Sequence, residues 1–129
     1  MHLEHDEEDY NLSLAKFESM LKTNKVLFFD SEEFEEIILH YLDMGKASLA
    51  KKALKLGLEQ HPKSTGLKLV QVEMLVYDDK LDQAEKLLNE LYAIEPTNEE
   101  IFIQKANIYS KRDDHEKAVE FLQTALLYT

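Results

Sequence analysis

Five histidines could in principle bind a metal or move a proton: His2, His5, His40, His61 and His115. His2 and His5 lie among Glu4, Asp6, Glu7, Glu8 and Asp9, a mixture that could hold a divalent cation weakly. A usable site needs ligands fixed by structure, which an acidic terminal run does not supply. The other three histidines share no ligand spacing, so no metal site is expected. Cysteine is absent, which removes thiolate metal sites, disulfides and cysteine nucleophiles together. Ser13, Ser19, Ser31, Ser48, Ser64 and Ser110 lack the strand-elbow setting that exposes a nucleophile. Gly45, Gly57 and Gly66 are isolated, with no G-x-G or Walker-type spacing to cradle a phosphate. The carboxylates fall mostly on helix faces or in caps, where solvation accounts for them. No catalytic residue and no cofactor is therefore expected, and the chain does not read as an enzyme.

Composition narrows the partners. The 129 residues carry a net charge of −11, which disfavours nucleic acid, because phosphate contacts need clustered Lys and Arg. The opening MHLEHDEEDY is acidic and so unlike a secretory signal, and no run approaches the roughly 20 apolar residues of a membrane span. The expectation is a soluble cytoplasmic protein that binds neither nucleic acid nor membrane. With 44 % apolar residues but only three Gly and two Pro, the sequence favours packed helices over turn-rich β structure.

The elements come from a period. Pro62 and Pro96 are 34 residues apart, and the sequence repeats at that shift. Phe34 falls over Lys68 and Phe102, Ile38 over Val72 and Ala106, and Tyr41 over Leu75 and Tyr109. Ala50, Ala84 and Ala118 share a column, as do Leu54, Leu88 and Leu122. Gly57, Leu91 and Ala125 share another, beside Leu58, Tyr92 and Leu126. A fixed period of this length marks stacked helix-turn-helix units.

In chain order, residues 1–9 read as a disordered acidic terminus. Residues 10–30 form a leading helix and connector, with Tyr10, Leu14, Phe17 and Leu21 on one apolar face, placed to cover the first repeat. Asp30 and Glu33 have the spacing of a capping box, with Phe29 and Phe34 as its hydrophobic staple. Gly45 breaks the helix that follows, and Pro62 stops its return partner. Ser64 and Asn98 are the next caps. Repeats 31–64, 65–98 and 99–129 follow, the last incomplete, giving three hairpins after one leading helix in a single domain.

These residues resemble the tetratricopeptide repeat family. Its early aromatic is met by Phe34 and Phe102, the small residue four on by Ala106, and the next aromatic by Tyr41 and Tyr109. The signature alanine of the second helix is met by Ala50, Ala84 and Ala118, and the closing small residue by Gly57 and Ala125. The middle repeat departs, with Lys68, Val72 and Leu91 in those columns. The resemblance implies an all-α right-handed superhelix; another α-solenoid or a plain bundle is the alternative fold. It also implies a concave groove lined by the first helix of each hairpin. In that groove would stand Glu32, Glu35, Leu39, Leu42 and Asp43, then Leu69, Glu73, Val76 and Tyr77, then Glu100, Ile103, Asn107, Ser110 and Lys111. Glu35 and Leu39 stand where the clamp for acidic C-terminal tails would begin with Lys and Asn. The implied ligand is a protein or peptide segment, apolar or basic. The implied function is a protein-protein interaction scaffold, with a structural spacer or self-assembling segment as the alternative.

The third repeat reaches Thr129 without a closing proline or a polar capping helix. That pattern reads as the N-terminal part of a longer array. Leu126, Leu127 and Tyr128 are then expected to meet either a further repeat or a second copy, as a homodimer through the C-terminal helix.

Overall fold

A computed structural model describes the backbone of residues 2–23 and 25–129, and the side chains of residues 12–23 and 25–129. Seven α-helices and no strand occupy the described residues. They are α1 (His2–Lys22), α2 (Ser31–Asp43), α3 (Ala47–Gln60), α4 (Thr65–Tyr77), α5 (Leu81–Ile94), α6 (Glu99–Lys111) and α7 (His115–Leu126).

The sequence period reappears in the backbone. Helices α2, α4 and α6 start 34 residues apart, and so do α3, α5 and α7. Each hairpin turns on one residue of positive φ: Gly45 at 72°, Asp79 at 61° and Asp113 at 62°. Glycine enters this region freely and aspartate tolerates it. Around each turn the N–H of Lys46, Lys80 and Asp114 donates back to the carbonyl of Tyr41, Leu75 and Tyr109 at 2.8–2.9 Å. The turn residues donate to Leu42, Val76 and Ser110, completing a Schellman-type closure that satisfies the last helical carbonyls. The expected caps form as well. Asp30 N–H donates to Glu33 Oε1 at 3.0 Å, Leu67 N–H to Ser64 Oγ at 3.2 Å, and Glu100 N–H to Asn98 Oδ1 at 3.0 Å.

The leading helix corrects two expectations. It starts at His2, so residues 2–9 are helical where the sequence reads as disordered; acids near a helix N-terminus are favoured by its dipole. Its inward face is Ser13, Phe17 and Met20, and Leu21 turns outward. Met20 takes the inner place because the connector folds back over it, with Leu27 N–H 3.2 Å from Met20 Sδ. Tyr10, His2 and His5 lie outside the described side chains.

The contacts gather into two compact units, residues 1–67 and residues 68–129, with the boundary inside α4. The first has an aromatic core. Phe17 meets the rings of Phe29, Phe34 and Tyr41 at 6.0–6.4 Å, and the Phe29–Phe34 staple closes at 5.4 Å. Gln60 and His61 at the end of α3 tie the connector down. Gln60 Nε2 donates to Leu27 O at 2.8 Å, Phe29 N–H donates to Gln60 Oε1 at 3.1 Å, and His61 Nε2 donates to Phe29 O at 2.6 Å. The second unit has an aliphatic core of Val72, Val76, Ala84, Leu88, Leu91, Ile101 and Ile108, drawn from α4, α5 and α6.

Candidate binding surface

The C-terminal half of α4 and the second half of α6 share a surface depression in the second unit. Glu73, Val76, Tyr77, Gln104, Asn107 and Lys111 line a shallow depression of about 260 Å³. Five of these six are residues that the sequence assigns to a partner-binding face. They meet because Glu73 and Tyr77 are one turn apart on α4, as Gln104, Asn107 and Lys111 are on α6.

One amide organises the acidic end. Gln104 Nε2 donates to Glu73 Oε1 at 3.1 Å and to Glu100 Oε1 at 3.0 Å, so both carboxylates share a single donor group. Burial, with Glu100 beside it, raises the Glu73 carboxyl above the ordinary carboxylate value against the pull of Gln104. No salt bridge joins Glu73 or Glu100 among the described residues. At the other end Lys111 Nζ donates to the Val76 carbonyl at 3.1 Å, placing its charge at the C-terminal end of α4, where the helix dipole favours a cation. Tyr77, one turn beyond Glu73 on α4, is 77 % exposed. The surface therefore offers two carboxylates, an aromatic face and the Asn107 amide.

The other expected residues divide. The Val76 side chain is largely buried in the aliphatic core, and its carbonyl accepts from Lys111 at the depression. Leu69 packs against the same core, and Ile103 is half-buried. Ser110 is exposed. In the first unit Leu39, Glu32 and Asp43 are exposed and Leu42 is half-buried. Glu35 is engaged within its own unit: its carboxylate lies over the first turn of α4, where a Cβ on Gly66 would meet Glu35 Oε2 at 2.7 Å. That turn welcomes an anion. Leu126 and Leu127 are exposed, whereas Tyr128 stacks on Phe102 at 5.6 Å.

Two groups escaped the sequence reading. Gln104 shares its column with Glu36 and Val70 and is almost fully buried, and that mixed column gave no signal for it. The second is a latch from α6 to α5. Tyr109 Oη donates to Glu85 Oε2 at 2.5 Å, and Arg112 donates to Glu85 at 3.0 Å and to Asp82 at 2.6 Å. The Tyr109 hydroxyl, then Arg112, hold the Glu85 carboxyl below its ordinary value. Its residues lie 24 to 30 apart with no motif to link them.

No helix among the described residues is long and apolar enough to cross a membrane. No curated protein matches the chain. Residues 75–129, from the end of α4 through α7, match the family model of the tetratricopeptide repeat. Joined to the seven helices and their hairpin turns, that match supports a helical-repeat fold of the tetratricopeptide type, with residues 75–129 as the matched part.

Proposed function

We propose that this protein is a protein-protein interaction module whose α4–α6 face receives a basic or apolar segment of a partner. Tetratricopeptide repeats generally mediate protein-protein interaction and are a non-catalytic scaffold type. The observation that carries the finer reading is the Glu73–Gln104–Glu100 arrangement beside exposed Tyr77. Two carboxylates held by one neutral amide, with no cation paired to either, complement an arginine or lysine side chain. Tyr77 supplies an aromatic face over which the same cation, or an apolar side chain, can lie. Acidic tails would meet carboxylates and are the wrong charge.

A peptide array varying in Lys, Arg, Asp and Glu content tests the reading, followed by fluorescence titration of the best binders. Basic peptides should bind, and Glu73→Lys with Glu100→Lys should reduce their affinity at least tenfold. Equal binding by that double variant, or an array dominated by acidic peptides, refutes it. The self-assembling alternative is favoured by a separate observation, the exposed apolar stripe on α7.

A further inference from the structure

Residues Lys25, Val26, Leu27, Phe28 and Phe29 join α1 to α2 without helix. Their side chains alternate. Val26 and Phe28 are 67 % and 78 % exposed, whereas Leu27 is half-buried and Phe29 is buried. A period of two is that of a strand, and branched and aromatic residues suit one.

The backbone carries the same alternation. Leu27 and Phe29 engage all four of their main-chain groups inside the first unit. Leu27 N–H lies 3.2 Å from Met20 Sδ, and its carbonyl accepts from Gln60 Nε2 at 2.8 Å. Phe29 N–H donates to Gln60 Oε1 at 3.1 Å, and its carbonyl accepts from His61 Nε2 at 2.6 Å. The Gln60 amide thus holds the two groups that flank Phe28, as a residue of a neighbouring parallel strand would. In an extended chain the N–H and C=O of one residue share an edge, and those of the next residue point the other way. The main-chain groups of Val26 and Phe28 therefore form the opposite edge. They have no hydrogen-bond partner among the described residues.

One edge of the connector is tied down by three side chains, and the other is open. Open N–H and C=O groups two residues apart specify what covers them. An extended backbone pairs with them, whereas a helix has its own main-chain groups already paired. We propose that the edge formed by Val26 and Phe28 receives an extended segment of a partner protein by strand addition. Alternate side chains of that segment lie over Val26 and Phe28, so branched or aromatic residues fit there. Exposed Lys22 and Lys25 stand where the connector begins and favour an acidic flank on the segment. The net charge of −11 sets two copies of this chain against each other, so the occupant is a different protein. The edge belongs to the first unit, and it stands whether or not the α4–α6 face binds a basic segment.

Amide hydrogen exchange, read by NMR on the intact 129-residue chain, tests this. The probes are synthetic peptides of two aspartates followed by Val, Ile or Tyr alternating with Thr. In the free chain the Val26 and Phe28 amides should exchange fast and the Phe29 amide slowly. A peptide that binds should slow the first two at least tenfold. Methyl groups on alternate peptide nitrogens then separate the two edges of the peptide. One alternate set should weaken binding at least tenfold, and the complementary set by less than twofold. Phe28→Asp should also weaken binding at least tenfold with unchanged circular dichroism, since the side chain is exposed. No protection of Val26 and Phe28 by any peptide of the set overturns the proposal. Equal effects of the two methylation sets overturn it too, because docking would then run through side chains alone. Slow Val26 and Phe28 amides in the peptide-free chain, at twice the 15.1 kDa mass, would give the edge to a second copy and overturn it as well.

Discussion

In residues 1–67 the aromatic that opens the repeat, Phe34, presses on a closing glycine: a Cβ on Gly57 would lie 3.1 Å from Phe34 Cγ. In residues 68–129 the same two columns hold Lys68 and Leu91, then Phe102 and Ala125. Where the opening residue is an aromatic the closing one is small, and where it is a lysine the closing one is a buried leucine. What repeats is the filled volume, more than the residue at either position. The aromatics follow the same division. In the first unit Phe17, Phe29, Phe34 and Tyr41 make the core, with only Phe29 of these under a cation, Lys16 at 5.5 Å, whereas in the second several rings sit at the margin under cations. Lys105 lies over Tyr92 at 5.1 Å and Phe121 at 5.6 Å, and Arg112 and Lys117 lie over Tyr109 at 5.1 and 5.0 Å. Burial lowers the Lys105 amine against the opposing pull of Glu85, so those rings give the charge a partly dry setting.

Exchanging volumes between the units gives the largest expected effects. Leu91→Ala empties a filled position and should cost about 2–5 kcal/mol, the usual range for a buried leucine. Gly57→Leu overfills the other and should cost about 1–3 kcal/mol, because Phe34 and Leu67 both stand against the new side chain. Urea unfolding of the two variants measures both. If Gly57→Leu melts like the parent, Phe34 and Leu67 can retreat, and the volume rule fails for the first unit.

Two tyrosines sharpen the comparison at smaller scale. Tyr41 Oη donates to Glu18 at 3.3 Å from a fully buried ring, and burial followed by Glu18 pushes its hydroxyl up to about 12. Tyr109 Oη donates to Glu85 at 2.5 Å, with Arg112 on the other carboxylate oxygen. Tyr109→Phe should cost about 1 kcal/mol, and Tyr41→Phe about half of that, because its bond is longer and Glu18 is left in water. Acid discriminates further. The lowered Glu85 carboxyl contributes stability above its unfolded-state value and loses it as pH falls through the lowered folded value. The Tyr109→Phe deficit should therefore shrink toward zero in strong acid. A deficit that persists there would assign the loss to packing.

How much of this was legible follows from the range of each interaction. The hairpins could be read because a turn is local: Gly45, Asp79 and Asp113 recur every 34 residues and each closes on its own helix. Caps at Asp30, Ser64 and Asn98 were legible for the same reason. The inward face of α1 was misread by one residue, because the choice of Met20 over Leu21 depends on a connector folding back from Leu27. Of the surface residues, Glu73, Tyr77, Asn107 and Lys111 are those that the family resemblance implies. Glu35 lies against Gly66, and the Val76 side chain packs into the aliphatic core. The Gln104 bridge needed two helices placed side by side, and spacing along one chain cannot supply that.

The smallest expected effect separates binding from folding. Glu73 is raised, the opposite of Glu33 and Glu85, which their hydrogen bonds lower. Between the ordinary carboxylate value and the raised one, the folded chain holds the Glu73 proton more tightly than the unfolded chain does. Stability then falls as pH rises through that window, and above it the ionised Glu73 opposes folding. Glu73→Gln keeps an acceptor for Gln104 and removes the charge beside Glu100. It should leave the chain slightly more stable at neutral pH, by less than about 0.5 kcal/mol, and remove this group's slope from the pH profile. Glu33→Gln and Glu85→Gln should instead lose stability at neutral pH, since each gives up the charged acceptor of a short hydroxyl bond. The same Glu73→Gln protein should bind a basic peptide more weakly, because one of the two charges that complement the cation is gone. A gain in stability with a loss of affinity would mark Glu73 as held in place for a partner. Thermal melts across the acid range, read beside peptide titrations, decide it. A destabilised Glu73→Gln variant with unchanged affinity would make the carboxylate a structural group, and the depression would lose its acidic end as a recognition element.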